Sequence, residues 1–339
     1  MLVEGRRTRR RGASARCLAG LFAGLFAVVS CAAGQLTVPT SYPLRGPAVV
    51  RPLRVVPPPY VRPSPSAAAS RAPAQPVPPA GPPPVAPNPS WQPAGRLVHG
   101  AFPLEVSYPA LVGQPGSVAG LLRVDLARAR LQLVPGTAEP AGAHGSGVIP
   151  QGAYPSLLAA FNGGFKSSAG YAGFVAGGHV YDAPQAGLGT IVVRTDGSVQ
   201  IGTWGRDFTS LSGVWALRQN LPLLIAGGQL APGVDDWRRW GDTLGGVPQV
   251  WRSAVGMTAA GQLIVADAVS TPGELARTML DAGVLNALEL DINPWWVQTF
   301  YYTGAPDSPV PTKLLASMHR NSTRFLQPAT RDFFYLTAR

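Results

Sequence analysis

The sequence predicts an α+β fold: a mixed, largely antiparallel β-sheet core with a few packed helices. Three observations carry that expectation. Short apolar runs alternate with polar residues at period two, turn residues separate them at close spacing, and helix signals are few. Forty glycines among 339 residues suit a chain that reverses direction so often.

The first 98 residues stand outside this rhythm. Arg6, Arg7, Arg9, Arg10, Arg11 and Arg16 face a single acid, Glu4, and an apolar run from Leu18 to Val29 follows, then Ser30-Cys31-Ala32-Ala33-Gly34. A basic leader, a short apolar core and a small-residue exit are the parts of a secretory signal, placed at residues 1–33. The run is shorter than the roughly 20 residues that span a bilayer. Val28-Val29-Ser30-Cys31 resembles the lipobox at which a bacterial lipoprotein is cut and lipidated, and plain cleavage after Ala32 or Ala33 competes with it. The expected location is therefore outside the cytoplasm, extracellular or at the cell envelope, with or without a lipid anchor at Cys31. Both cysteines, Cys17 and Cys31, lie in this leader, so the mature chain has no disulfide and no cysteine nucleophile.

Residues 34–98 read as a proline-rich linker. The stretch 36–95 holds 19 of the 36 prolines, including Pro57-Pro58-Pro59 and Pro82-Pro83-Pro84, which favours extended, semi-rigid chain. Of the 28 basic residues 12 precede His99, against one of the 17 acids. Leader and linker thus carry the whole net charge of +11, and the remaining 16 basic and 16 acidic residues cancel. A neutral domain argues against nucleic acid as a partner.

Residues 99–339 are long enough for one domain with its own core. Leu121–Leu126 and Arg130–Val134 alternate like a strand pair. Pro155–Ala160 is a candidate helix. Phe174–Ala176 with His179–Tyr181, and Thr190–Arg194 with Ser198–Ile201, read as hairpins around glycine turns, as does Leu223–Ile225 before Gly227-Gly228. Ala254–Thr258 and Gln262–Val265 repeat the device. Thr271-Pro272-Gly273-Glu274 is a capping box with proline at the first helical position, opening a helix that ends near Gly283 and buries Leu275, Met279 and Leu280. A half-buried strand then carries Leu288 and Leu290 on one face and Glu289 and Asp291, ~7 Å apart by strand rise, on the other. Pro294 ends it near Ile292.

Four stretches could carry chemistry. Phe161-Asn162-Gly163-Gly164-Phe165-Lys166 sets an amide and a lysine around two glycines, which permit close ligand approach. Arg218-Gln219-Asn220-Leu221-Pro222 places three long polar side chains before an apolar run. Arg252, in Trp251-Arg252-Ser253-Ala254-Val255-Gly256, stands at a strand entrance, and arginine is the preferred fork for phosphate or carboxylate. The fourth is the Glu289/Asp291 strand.

In this order the four resemble the phosphodiester glycosidase family. The resemblance covers roughly residues 120–335, and the tail Pro311-Thr312-Lys313-Leu314-Leu315 with Arg331-Asp332-Phe333-Phe334 is similar to an actinobacterial branch of it. It implies hydrolysis of a sugar-1-phosphodiester, here in a cell-envelope or extracellular glycan, with Asn162, Arg218, Asn220, Arg252 and Asp291 on the family's active-site positions. On that footing Arg252 and Arg218 are expected to hold phosphate, Asp291 to act as nucleophile or base and Glu289 as proton donor. Asn162, Gly163, Gly164, Lys166, Gln219 and Asn220 would line the substrate site. The family's glycine run after the aspartate is replaced here by Ile292-Asn293-Pro294-Trp295-Trp296, in which proline offers no N–H to a phosphate. Trp295 and Trp296 either stack on a sugar ring or belong to the core. Nothing in the sequence calls for a metal or a cofactor. The competing expectation is a non-catalytic envelope protein that binds glycan in the same cleft.

Overall fold

The computed structural model describes residues 87–169 and 173–339. The signal and lipobox, and the linker up to residue 86, lie outside the described residues. Among the described residues no helix is long and apolar enough to cross a membrane.

The architecture is mainly β rather than α+β. Eight strands form the largest sheet, in the order Asn88–Ala94, Leu104–Tyr108, Gly120–Val124, Leu263–Ser270, Val250–Thr258, Val284–Glu289, Ile225–Ala226 and Gln229–Leu230. A five-stranded sheet runs Val199–Thr203, Gly189–Arg194, Val214–Gln219, Phe174–Ala176, His179–Asp182, and another runs Ser308–Lys313, Thr299–Ala305, Leu157–Asn162, Phe333–Ala338, Ala129–Val134. The pairings between these strands are antiparallel. The α-helix that the capping box opens, Pro272–Asp281, has both reciprocal Thr271/Glu274 bonds in place.

Period two decides where everything packs. In Leu263–Ser270, Leu263 and Val265 face the central core, where they meet Leu122, Val255 and Leu288 of the same sheet, Ile191 and Ile201 of the second and Leu157 and Phe161 of the third. Ile264, Ala266 and Ala268 point to the opposite face, where with Ala254 and Ala287 they form a shallow, alanine-rich floor under Leu275, Ala276 and Met279 of the helix. Small residues there let the helix sit close to the sheet.

The expected hairpins form at Phe174–Asp182, Gly189–Thr203, Ile225–Leu230 and Val250–Ser270. Three expectations give way. The Pro155–Ala160 segment is not a helix: Gln151–Ser156 is a 3-10 turn, and Leu157–Asn162 is a strand buried on both faces, whose continuous apolar run has no period to distinguish the two. Gly120–Val124 and Ala129–Val134 are strands of different sheets; the second pairs with the C-terminal Phe333–Ala338. The linker expected to end at residue 98 already contributes an edge strand, Asn88–Ala94, paired with Leu104–Tyr108.

Candidate active site

The strand Val284–Glu289 ends at Glu289, but its hydrogen bonding to the neighbouring strand continues: Leu290 N–H donates to the Ser253 carbonyl and Ser253 N–H to the Asp291 carbonyl. Alternation holds, with Leu288 and Leu290 in the central core and Glu289 and Asp291 on the helix side. The expected wet face is absent. The loop at Trp240–Pro248 closes over Arg252 beside Glu289, and Glu289 and Asp291 are both buried.

The two carboxylates have different surroundings. Glu289 is sealed against Arg252, Oε1 accepting from Nη1 at 2.6 Å, with both side chains wholly buried. Arg252 spends its other donors on the carbonyls of Ser270, Trp240 and Pro248. Glu289 Oε2 has no partner, and burial pushes this carboxyl up against the pull of Arg252. Arg252 therefore ties the loop at Trp240–Pro248 to the sheet and borders neither of the cavities beside Asp291.

Asp291 does face open space. Its Oδ1 accepts from the Asn293 N–H at 2.9 Å and its Oδ2 from Arg331 Nη2 at 2.8 Å. Burial raises its pKa, opposed first by Arg331. Both residues border a cavity of about 530 Å³. Lys166, Arg238 and Arg239 join Arg331 on its walls, so four cations stand against two carboxylates, Asp291 and Asp242. Phe165, Ile292 and Trp296 supply apolar wall. An anion with an attached ring fits that lining.

The remaining expected site residues are struts for this wall. Asn162 ends its strand by donating to Gly163 O and Ser253 Oγ while accepting from Gln298 N–H. Arg218 donates to Asp332 Oδ2 at 3.0 Å and to the carbonyls of Gln219 and Phe165. Asn220 accepts from Phe165 N–H and donates to the carbonyls of Glu289 and Leu290, joining the glycine turn to the carboxylate strand. Gln219 closes bonds on Gln185 and Thr190. The two glycines are dictated by packing: a Cβ on Gly163 would lie 2.0 Å from Asp332 Oδ2, and one on Gly164 3.1 Å from Arg218 Cζ. Lys166 borders the cavity, whereas Trp295 stands exposed outside it.

A second, much smaller space of about 10 Å³ lies deeper, bordered by Asn162, Gly163, Asp291, Gln298, Arg324, Arg331 and Asp332. Four side-chain atoms of these residues are buried without partners: Gln298 Oε1, Asp332 Oδ1, Arg324 Nη1 and Arg331 Nε. Among the described residues no group of three or more His, Cys, Asp or Glu side chains is placed to hold a metal.

No protein-family model matches the chain, and no curated protein matches it. Solved structures show a distant likeness of fold. The chain is similar to the catalytic domain of zebrafish N-acetylglucosamine-1-phosphodiester α-N-acetylglucosaminidase, auto-inhibited by its pro-peptide, at 17% identity and TM-score 0.46, covering 74% of this chain and 88% of that one. A Synechocystis protein matches at 10% identity and TM-score 0.41, covering 73% of this chain and 64% of that one. A Burkholderia pseudomallei K96243 protein described as exported matches at 11% and 0.37, over 68% and 75%.

Sequence reasoning did not assign roles to Arg331, Asp332, Ser253, Arg238, Arg239 or Asp242. Arg331-Asp332 was visible in the tail motif, but only the pairing of Phe333–Ala338 with Leu157–Asn162 brings it beside Asn162 and Asp291. The other residues lack a distinguishing spacing.

Proposed function

We propose that the protein hydrolyses a sugar-1-phosphodiester, with Asp291 and Arg331 at the reacting centre. The observation that carries this reading is the Asp291–Arg331 pair on the wall of a cavity where Lys166, Arg238 and Arg239 outnumber the one other carboxylate, Asp242. In this reaction water adds to the sugar's C1, the C1–O bond breaks, and the phosphate leaves as a phosphomonoester. Such a leaving group is acidic and needs no strong proton donor. One carboxylate and a set of cations suffice, so Glu289 is not required as the acid. Asp291 acts on C1, as nucleophile or through a water it activates. Arg331, Lys166, Arg238 and Arg239 offset the charge that grows on the departing phosphate. Arg218, Arg252, Asn162 and Asn220 hold the wall in place rather than touch the substrate.

The test is release of free sugar from a panel of sugar-1-phosphodiesters by the full chain. Asp291→Asn is expected to lower turnover by on the order of 100-fold or more. Turnover equal to wild type would remove Asp291 from the reaction. Binding without turnover on every diester would favour the glycan-binding alternative. The reading includes export and attachment at Cys31. Labelled fatty acid should enter the full chain and Cys17→Ser but not Cys31→Ser.

A further inference from the structure

From the cavity wall at Arg331 and Trp296, a row of guanidinium groups and indole rings leads to the exposed Trp295. Arg331, which pairs with Asp291, lies 4.9 Å over the Trp296 ring. Arg320 lies 4.7 Å over the same ring and 5.9 Å over that of Trp295. Trp295 is 53% exposed, although its backbone is pinned on both sides. Its N–H donates to Asn293 Oδ1, and its carbonyl accepts from Gln298 Nε2 and Arg320 Nε. His319 props the ring at 5.3 Å and in turn meets Trp251 at 6.1 Å. An indole face open to solvent beside a guanidinium is a ready stacking partner for a ligand ring.

We propose that this row is a second substrate site, which takes the sugar–phosphate units next to the scissile one in a repeating, anionic sugar–phosphate chain. The inference rests on the phosphodiester reading above and narrows it from a single diester to a polymer. The recognition is chemical. The C–H face of a sugar ring stacks on an indole, and a phosphate pairs with a guanidinium. Trp296 is held among Arg331, Arg320 and Arg324, so the open ring face is that of Trp295, with Arg320 beside it for a phosphate, and the row is continuous with the cavity through Trp296 and Arg331. His319 and Arg320 flank Trp295 with polar groups, so the exposed ring is not part of a contiguous apolar surface of the kind a lipid tail needs.

The experiment compares equilibrium binding of the full chain to a single sugar-1-phosphodiester and to an oligomer of at least three sugar–phosphate repeats. The oligomer is expected to bind at least tenfold tighter. Trp295→Ala should bring that ratio close to one, and Trp295→Phe should restore most of it; the ring is exposed enough for both variants to fold. A wild-type ratio near one overturns the proposal, as does a ratio that survives Trp295→Ala. Binding to anionic phospholipid vesicles that Trp295→Ala abolishes, without an oligomer preference, would assign the row to a membrane instead. If the single diester binds and only the ratio fails, the second site falls and the proposed reaction stands. If no diester binds at all, both fall together.

Discussion

At the scale of single residues, the buried ion pairs divide into one at the cavity and others that build its wall. Arg252→Ala should cost about 3–5 kcal/mol, because it strands a buried Glu289, while replacing both partners by apolar residues (Arg252→Met with Glu289→Leu) should recover most of that. Thermal melting checks both, and turnover of the double variant decides the role of the pair: retained activity confirms a strut, and its loss at restored stability returns Glu289 to the chemistry. Asp267 gives a pH signature. It is wholly buried, neither carboxylate oxygen lies within good hydrogen-bond geometry of a donor, and burial pushes its pKa up to about 7 against the opposing influence of the nearby Thr299 hydroxyl. A folded-state pKa above the unfolded one means that stability is full below the ordinary carboxylate range and is lost as pH rises toward 7. Melting temperature should fall over that window. Asp267→Asn should flatten the fall, raising stability at pH 8 and leaving it nearly unchanged at pH 4. The small chamber behind Asp291 is the size of one water, so a high-resolution crystal structure is expected to show an ordered water bonded among Gln298, Asp332 and Arg331. Asp291, which borders the cavity, was legible in the sequence because period two and Pro294 frame it. Arg252, expected at the phosphate, is buried against Glu289 instead of bordering the cavity; a strand-entrance arginine looks alike in sequence whether it grips a phosphate or a glutamate, and burial separates the two.

At the scale of elements, the site is a junction. The glycine turn after Asn162 meets the end of Val214–Gln219 and the end of Val284–Glu289, and Arg218 and Asn220 bolt the three together. Gly163→Ala tests the tightness of that junction. Its methyl would collide with Asp332, which pairs with Arg218, so a loss on the order of 1–3 kcal/mol is expected with turnover falling further than stability alone explains. Elements with local signals were legible: four hairpins with glycine turns, and the helix with its capping box, whose Thr271→Ala variant should cost about 1 kcal/mol. Elements defined by distant partners were not. Leu157–Asn162 is apolar throughout because both its faces are covered, which erases the period that marks a strand. The C-terminal Phe333–Ala338 sits between Leu157–Asn162 and Ala129–Val134, some 170 and 200 positions away in the chain, and nothing local announces such a pairing.

At the scale of the whole molecule, the folded unit begins earlier than composition implies. Proline enrichment runs to Pro93, yet Asn88–Ala94 is an edge strand, a position where proline's missing donor can face away from the ladder. Trp91 lies under Arg123 at 4.2 Å, and Ala94 is part of the central core. Arg96 then donates to the carbonyls of Tyr154, Pro155, Thr303 and Ala305, binding the 3-10 turn to the strand Thr299–Ala305. A chain starting at residue 99 keeps every residue near Asp291 but loses all of these contacts. Two of the four Arg96 bonds are exposed and exchange readily with water, so the loss should be modest, about 2 kcal/mol for the part-buried bonds together with the strand's pairing. For a domain of this size that corresponds to about 4–8 °C of melting temperature. A chain starting at residue 87 should melt with the full chain. The three chains, melted side by side, decide the boundary: equal melting of all three would return residues 87–98 to the linker, whereas a drop confined to the shortest would make Asn88–Ala94 and Arg96 part of the fold.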